Sequence, residues 1–259
     1  MSRRARRVAW TLAGSVVAGF ILLTGTVATI NAITQDVQTF TEVIREPVAA
    51  LDIEVSNGAV TVVAVEAEPV AVTARVTGSL HRSEQQTAVE DGRLVVRERC
   101  RGWTSSFFCR TDYTISVPPG IDVDIRSRHG SVLVRGIEGT VNASSSNGSV
   151  AVEDVTGSLQ LRSSNGRVEG RGLRARVATA TSSNGPVSLA FARPPSTVRA
   201  ESSNGPVEVL VPEDRTAYRV DASSSNGPVE TLVATDPASR RTIVAHSDNG
   251  PVTIRTAGR

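Results

Sequence analysis

Lysine is absent from this 259-residue chain, and aromatic residues make up only 3% of it. The scarcity of large rings excludes a core built on aromatic packing, whereas the many valine, serine, threonine and glycine residues suit thin β layers. The formal net charge is only +2, and four arginines lie within the first seven residues. No basic patch is interleaved with aromatic residues, so nucleic-acid binding is not expected.

Charged residues are also missing from residues 8–33, an apolar run that follows the arginine cluster. Roughly 20 helical residues cross a bilayer core, so this run predicts a single transmembrane helix. The arginines place residues 1–7 in the cytoplasm and the bulk of the chain outside it. A cleaved signal peptide is the alternative, and it exports the rest of the chain as well. Residues 34–48 are expected to be a short spacer from the membrane.

Cysteine is nearly absent too, since only Cys100 and Cys109 occur. In an extracytoplasmic domain, an even number of cysteines predicts a disulfide, which here closes a short local loop. A zinc site needs two further ligands, and no pair of histidines stands nearby.

An internal repeat of Ser-Asn-Gly, or a close variant, is the strongest pattern present. From His129 onward its central residues are 18, 18, 19, 20, 22 and 23 positions apart, each with Ser two positions before and Val three positions after. An earlier copy, at Asn57, has Val55 in the serine position. The turn residues predicted from the repeat are Asn57, Gly58, Asn147, Gly148, Asn165, Gly166, Asn184, Gly185, Asn204, Gly205, Asn226, Gly227, Asn249 and Gly250.

Apolar residues alternate with polar ones on both sides of each turn, which predicts two inward-facing strands per repeat. Asn and Gly both tolerate positive φ, so the turn is expected to be a sharp corner. The identical Val and Ser columns favour a β-solenoid, in which Val150 lies against Val168; an antiparallel meander of hairpins is the alternative. Residues 49–259 are therefore predicted to be an all-β solenoid, preceded by the N-terminal transmembrane helix.

Several prolines directly follow the turn glycine, as at Pro186 and Pro206. Proline there cannot donate a ladder hydrogen bond, which suits the first residue after a solenoid corner better than a hairpin. Insertions between repeats fall at the opposite corner, as in residues 192–197. That variable corner is therefore a plausible contact surface.

The opening residues 51–60, the segment 115–123 and the Ser-Asn-Gly-x-Val series together resemble the bacterial putative-adhesin family defined by DUF4097. The likeness covers about residues 49–254. It implies an all-β envelope protein that follows a single transmembrane helix, and no catalytic residue comes with it.

Residues that carry chemistry are few. His129 occupies a turn position, His246 adjoins a repeat serine, and His81 lies in a polar stretch. The serine column lacks a Gly-x-Ser-x-Gly elbow, and a nucleophile is not copied seven times. Asp122, Asp124 and Asp248 suggest Ca²⁺, but the Gly-Gly-x-Gly-x-Asp repeat is absent. No enzyme activity, metal or cofactor is expected, although parallel β-helices include polysaccharide lyases.

The leading hypothesis is a non-enzymatic, membrane-anchored envelope protein whose extracytoplasmic solenoid serves adhesion. A polar side lined by Ser and Asn would face a cell-wall glycan or an envelope protein. The alternative is an envelope-stress sensor that signals through a membrane partner. The last coil, ending near Arg255 and Arg259, is also expected to offer an edge for self-association.

Overall fold

The computed structural model describes residues 36–66, 69–78, 83–100 and 109–258. Within them the protein is all-β, with one sheet of 11 strands (sheet A) and one of 10 strands (sheet B). The predicted cytoplasmic tail 1–7 and transmembrane helix 8–33 lie outside these residues. In the part that the structure describes, no helix has the length and apolar character needed to cross a membrane.

The strands in chain order are β1 (Asp36–Ile44), β2 (Ala50–Val55), β3 (Val60–Ala64), β4 (Val70–Gly78), β5 (Ser83–Glu90), β6 (Arg93–Cys100), β7 (Cys109–Val117), β8 (Asp122–Ser127), β9 (Val132–Arg135), β10 (Val141–Ser145), β11 (Val150–Glu153), β12 (Leu159–Ser163), β13 (Val168–Leu173), β14 (Val177–Ser182), β15 (Val187–Phe191), β16 (Thr197–Ser202), β17 (Val207–Val211), β18 (Arg219–Ser224), β19 (Val229–Leu232), β20 (Thr242–Ser247) and β21 (Val252–Thr256). Sheet A has the order β1-β4-β7-β3-β9-β11-β13-β15-β17-β21-β19, and sheet B has the order β18-β20-β16-β14-β12-β10-β8-β2-β6-β5.

From β8 to β17 each repeat is one coil, with a strand in sheet B, the Ser-Asn-Gly corner and a strand in sheet A. Successive coils pair in parallel, and Val150 is in register with both Val132 and Val168. In sheet B, Val141 likewise lies between Val123 and Leu159. Parallel pairing confirms the predicted solenoid and excludes the antiparallel meander for these coils.

The core lies between the two sheets and is filled by the inward columns of Val, Leu, Ile and Ala. Leu161, in sheet B, and Leu189, in sheet A, are both fully buried. Because most inward positions hold small and medium-sized side chains, the layers stack closely. Among the described residues, Tyr113, Phe191 and Tyr218 are the aromatic side chains that join this core.

The last two coils are not stacked in chain order. Strand β20 lies between β16 and β18, and β21 lies between β17 and β19. The outermost coil at this end is therefore β18/β19, and the strand before the C-terminus is internal. The prediction that each coil stacks on the one before it is wrong here, and the edge expected near Arg255 is instead formed by β18 and β19.

Side-chain burial explains this exchange. The internal coil places Ile243 and Ile254 in the core, where both are fully buried. The aligned residues of the outermost coil are the smaller Val220 and the polar Thr231. If the coils stacked in chain order, Ile243 and Ile254 would lie in the outermost coil, where water reaches the core. Exposure of apolar surface costs roughly 25 cal/mol per Å².

Charge on the outer face of sheet A favours the same order. Thr253 is in register with Glu208 on one side and Glu230 on the other. Stacking in chain order would place Glu208 and Glu230 directly side by side, and like charges on neighbouring strands repel. The exchanged order keeps a neutral residue between them.

The opposite end of the solenoid is also rearranged. Coil β2/β3 lies between β8/β9 and β6/β7, while β4 and β5 extend the sheets by antiparallel pairing. Residues 36–44, within the segment expected to be a spacer, form β1, which pairs antiparallel with β4 as the edge of sheet A. An edge strand covers part of the unpaired backbone that a bare coil would expose.

Candidate binding surface

Each regular corner is held by the serine two positions before its central residue. In the corner at Asn165, the Gly166 N–H donates to Ser163 Oγ at 2.8 Å, and Ser163 Oγ donates to the Gly148 carbonyl of the preceding coil at 3.0 Å. The same two bonds recur at Ser145, Ser182, Ser202, Ser224 and Ser247. A hydroxyl can accept and donate at once, so one side chain stabilises both the corner and the stack.

The glycine of each corner is required by close approach between coils. A Cβ on Gly166 would lie 2.2 Å from the Gly148 carbonyl oxygen, and one on Gly185 would lie 2.1 Å from the Gly166 oxygen. Among the repeat glycines, only Gly58 has a left-handed φ, of +126°. Tolerance of positive φ therefore does not explain the glycine of the later copies, where steric contact is the reason.

The asparagine side chains form one continuous ladder along the corner. Asn165 Nδ2 donates to Asn147 Oδ1, and Asn184 Nδ2 donates to Asn165 Oδ1, both at 2.7 Å. The ladder continues through Asn204, Asn249 and Asn226, in the exchanged coil order, at 2.8 Å per step. At its other end Asn147 Nδ2 lies 3.0 Å from His129 Nδ1. The amides that were expected to face a ligand therefore bond mainly to one another.

The first corner uses a different group, because Val55 has no hydroxyl. Glu98, on the neighbouring strand β6, accepts the Ser56 N–H at 2.8 Å and is almost fully buried. Burial raises the pKa of the Glu98 carboxyl above its ordinary value, while backbone N–H bonds from Ser56 and Asn57 and the charge of Arg128 act in the opposite direction. Glu98 was missed by sequence reasoning, since it lies far from Ser56 in the chain.

Proline fits after the turn glycine because only its carbonyl enters the stack. The Val168 N–H donates to the Pro186 oxygen and the Val187 N–H donates to the Pro206 oxygen, each at 2.9 Å. The residue at this position does not need an N–H, in agreement with the sequence interpretation.

The outer face of sheet B carries a central patch that is uncharged apart from one arginine. We define it as the outward-facing residues of β10, β12 and β14: Asn142, Ser144, Gln160, Arg162, Thr179 and Thr181. Ion pairs flank it on both sides. Arg126 contacts Asp124 at 2.9 Å and Asp52 at 3.4 Å on one side, and Arg199 pairs with Glu201 on the other.

Arg162 is the one arginine in strands β8–β17 that forms no ion pair or hydrogen bond within the described residues. Its exposed side chain lines an open groove of about 210 Å³, together with Arg126, Asp124 and the central-patch residues Asn142, Ser144 and Gln160. The outward neighbours of Arg162 in register are Ser144 and Thr181, both uncharged. The groove therefore contains a cation whose charge no neighbouring side chain neutralises.

On the outer face of sheet A, the arginines of β9 and β13 pair with acids. Arg135 contacts Glu153 at 2.6 Å, and Arg171 contacts Glu169 at 2.7 Å and Glu153 at 3.7 Å. The charges of these two arginines are thus satisfied within the protein.

His246 links the two outer coils of sheet B. Its Nδ1 lies 2.9 Å from Ser223 Oγ, and its Nε2 lies 3.0 Å from Asp248 Oδ1. These are the residue types of a hydrolase triad, yet the His246 and Asp248 side chains are 40% and 51% exposed. Water screens such a pair, whereas triad catalysis depends on a buried, preorganised one. We therefore assign the three residues a structural role between β18 and β20.

The aspartates considered as calcium ligands do not converge. Asp122 Oδ1 accepts the Thr140 N–H at 2.8 Å, whereas Asp124 and Asp248 contact Arg126 and His246. Within the described ranges, no three His, Cys, Asp or Glu side chains are grouped closely enough to hold a metal ion.

The predicted disulfide and the polar stretch with His81 lie where the structure does not describe the side chains. Cys100 ends β6 and Cys109 begins β7, but their side chains and the loop between them lie outside the described residues, as does His81. The disulfide stays a prediction.

Comparisons with known proteins address the family and the fold. A family model described as Toastrack DUF4097 matches residues 122–257, which is more than half of the chain. No curated protein matches the chain.

Among solved structures, a putative adhesin from Bacteroides fragilis is similar at 19% identity and a TM-score of 0.52, covering 86% of this chain and 97% of its own. One from Parabacteroides merdae has 13% identity and a TM-score of 0.45, covering 86% and 96%. A putative cell adhesion protein from Clostridium sporogenes has 13% identity and a TM-score of 0.43, covering 86% and 100%. At 19% identity, the first of these likenesses supports the fold alone.

Proposed function

The chain belongs to the Toastrack DUF4097 family, and from this premise we propose that it is a non-enzymatic envelope protein that binds a cell-wall glycan along the outer face of sheet B. In this proposal the apolar segment 8–33 holds the solenoid outside the cytoplasm. The similar structure from Bacteroides fragilis is described as a putative adhesin, and an adhesive role suits a long, regular surface.

The central patch is the observation that carries the proposal. The side chains of Asn142, Gln160 and Thr179 present amide and hydroxyl groups at one register position of three successive coils. Coils in a parallel sheet repeat about every 4.8 Å, so the patch is a linear array of hydrogen-bonding groups. A glycan chain offers a matching row of hydroxyls.

Rigidity makes such an array effective. Each coil is joined to the next by parallel strand pairing in both sheets. At the corner a serine bond, such as that from Ser163 to Gly148, and an asparagine bond also link the two coils. Groups held in place before binding lose little conformational entropy when the ligand arrives. Many weak contacts can then add up along a polymer.

Sedimentation of the purified full chain with isolated cell wall tests the proposal. The double variant Asn142→Ala with Gln160→Ala should reduce the bound fraction several-fold, since it removes both amides from the patch. Ser188→Ala with Thr253→Ala, on the outer face of sheet A, is the matched control and should bind like the wild type.

Equal binding by the patch variant and the wild type would exclude this face. Absence of wall binding by the wild type, together with crosslinking of the chain to another membrane protein, would favour the signalling alternative instead.

A further inference from the structure

We propose that the groove beside Arg162 binds an anionic sugar unit, with a carboxylate or phosphate on the guanidinium and sugar hydroxyls on the amides of Asn142 and Gln160. This assignment rests on the proposed function, because it names the chemical class of the ligand for the same face.

The positive charge of Arg162 is isolated on this face. Its register neighbours on both sides are hydroxyl residues, Ser144 and Thr181. The nearest ion pairs, at Arg126 and Arg199, are two coils away on either side and are closed on their own acids. Guanidinium presents a planar fork of donors that matches carboxylate and phosphate oxygens. An anion at this position meets a cation without displacing an internal acid.

A pair of amide side chains lies beside that cation. Asn142 and Gln160 are directly in register on adjacent strands, and neither side chain has a hydrogen-bond partner among the described residues. Each amide offers donors and an acceptor, which suits a hydroxyl that both donates and accepts. A polyol attached to the anionic group would satisfy them, whereas a bare inorganic anion would leave their acceptor oxygens unused.

The far side of the groove carries acids as well as an arginine. Arg126 is already neutralised by Asp124 and Asp52, with Asp124 in the groove wall. Burial raises the pKa of the Asp124 carboxyl, the nearby Asp52 raises it further, and Arg126 and Arg93 lower it. This end therefore offers an anion no unpaired cation, while the Asp124 carboxylate can accept hydroxyl donors. The ligand is therefore oriented, with its anionic group toward Arg162 and a hydroxyl toward Asp124.

The size of the groove sets the unit that is bound. The groove is small, about 210 Å³, and open to solvent. It accommodates one sugar ring with its substituent, while the open face lets the polymer continue over neighbouring coils.

Titration calorimetry of the purified full chain with three defined polymers tests the assignment. The probes are an oligogalacturonate, whose sugars carry carboxylates, a phosphodiester-linked glucose polymer, whose sugars carry phosphates, and an uncharged glucan of similar length. We expect binding of at least one anionic probe that weakens with added salt, and weaker binding of the glucan.

The variant Arg162→Gln should weaken the anionic probe about tenfold, the loss expected for one charge-assisted contact. The matched control Arg171→Gln, an exposed strand arginine of sheet A, should bind like the wild type. Which anionic probe responds distinguishes carboxylate from phosphate as the source.

The assignment is overturned if Arg162→Gln binds both anionic probes like the wild type, if the control loses as much, or if the glucan binds as tightly. Wall sedimentation separates this outcome from failure of the proposed function. A wild type that sediments with wall while Arg162→Gln is unaffected would refute only the anionic site, whereas no wall binding at all would refute the function.

Discussion

Replacement of Gly166 by alanine tests the stacking of the corners directly. The added Cβ would lie 2.2 Å from the Gly148 carbonyl oxygen and 2.8 Å from the Ser149 nitrogen, both backbone atoms. Real Cβ contacts are not shorter than 3.0 Å, and backbone atoms cannot rotate away as the end of a side chain can. The two corners must therefore separate.

Separation breaks the bonds that cross this junction. They include Ser163 Oγ to the Gly148 oxygen at 3.0 Å and Asn165 Nδ2 to Asn147 Oδ1 at 2.7 Å. Each bond contributes about 1 kcal/mol net, and forcing extra volume into a packed site costs a further 1–3 kcal/mol or so. We expect the variant to lose about 3–5 kcal/mol in the free energy of unfolding, a large part of the stability of an ordinary domain.

Urea unfolding of the purified chain measures the loss, and amide hydrogen exchange locates it at the coils on either side of the junction. Gly120→Ala is the matched control, because nothing lies within 4 Å of its added Cβ. An equal stability of Gly166→Ala and Gly120→Ala, or exchange that is unchanged near the junction, would refute the steric account of the glycine column.

Three further predictions concern other parts of the stack. At a pH above the carboxyl pKa, Asn184→Asp should lower the free energy of unfolding by about 1 kcal/mol, because the carboxylate cannot donate to the neighbouring amide oxygen. Acidification should restore part of this loss, as measured by urea melts. In the variant Glu208→Cys with Thr253→Cys, a short thiol crosslinker should join the two new cysteines, as mass spectrometry of the crosslinked peptides would show. In Glu208→Cys with Glu230→Cys it should not join them, because Thr253 lies between these positions. Crosslinking of the second variant instead of the first would mean that the coils stack in chain order. The raised pKa of Glu98 means that its contribution to stability is fully present below its ordinary pKa of 4.5 and is lost as pH rises through the folded-state pKa. Stability relative to Glu98→Gln should therefore fall from acid to neutral pH, and a pH-independent difference would contradict this.

The repeated part of the fold was predictable because each coil obeys the same local rules. Period-two alternation identified the inward residues, and the identical columns at Val132, Val150 and Val168 favoured a stack with like side chains in register, as the structure has them. These constraints are local in sequence, so they could be read without knowledge of the chain's path.

The exchanged coils could not be read in this way. The copies at Asn226 and Asn249 both satisfy the repeat, so either could follow β16/β17. The order depends on small differences, such as Thr231 against Ile254, and on which charges become neighbours across coils. Similarly, the acceptor for the first corner comes from Glu98, through a contact between residues 42 positions apart. Both are consequences of tertiary contact.

The separation between constrained and unconstrained positions also bears on function. Inward side chains, the corner serine and the corner glycine are each fixed by packing or by hydrogen bonds, so their repetition reports folding. The outward strand positions are not restricted in this way, and there the arginines differ in their surroundings, with Arg126 and Arg199 of sheet B paired with acids. Sheet A pairs Arg171 with Glu169, whereas sheet B leaves Arg162 among amides and hydroxyls. Folding alone does not require an unpaired cation at that position, since a neutral residue would pack there equally well. A ligand that uses the charge gives a reason for it, and for this reason the outward residues of sheet B, rather than the asparagine ladder, are the place to look for binding.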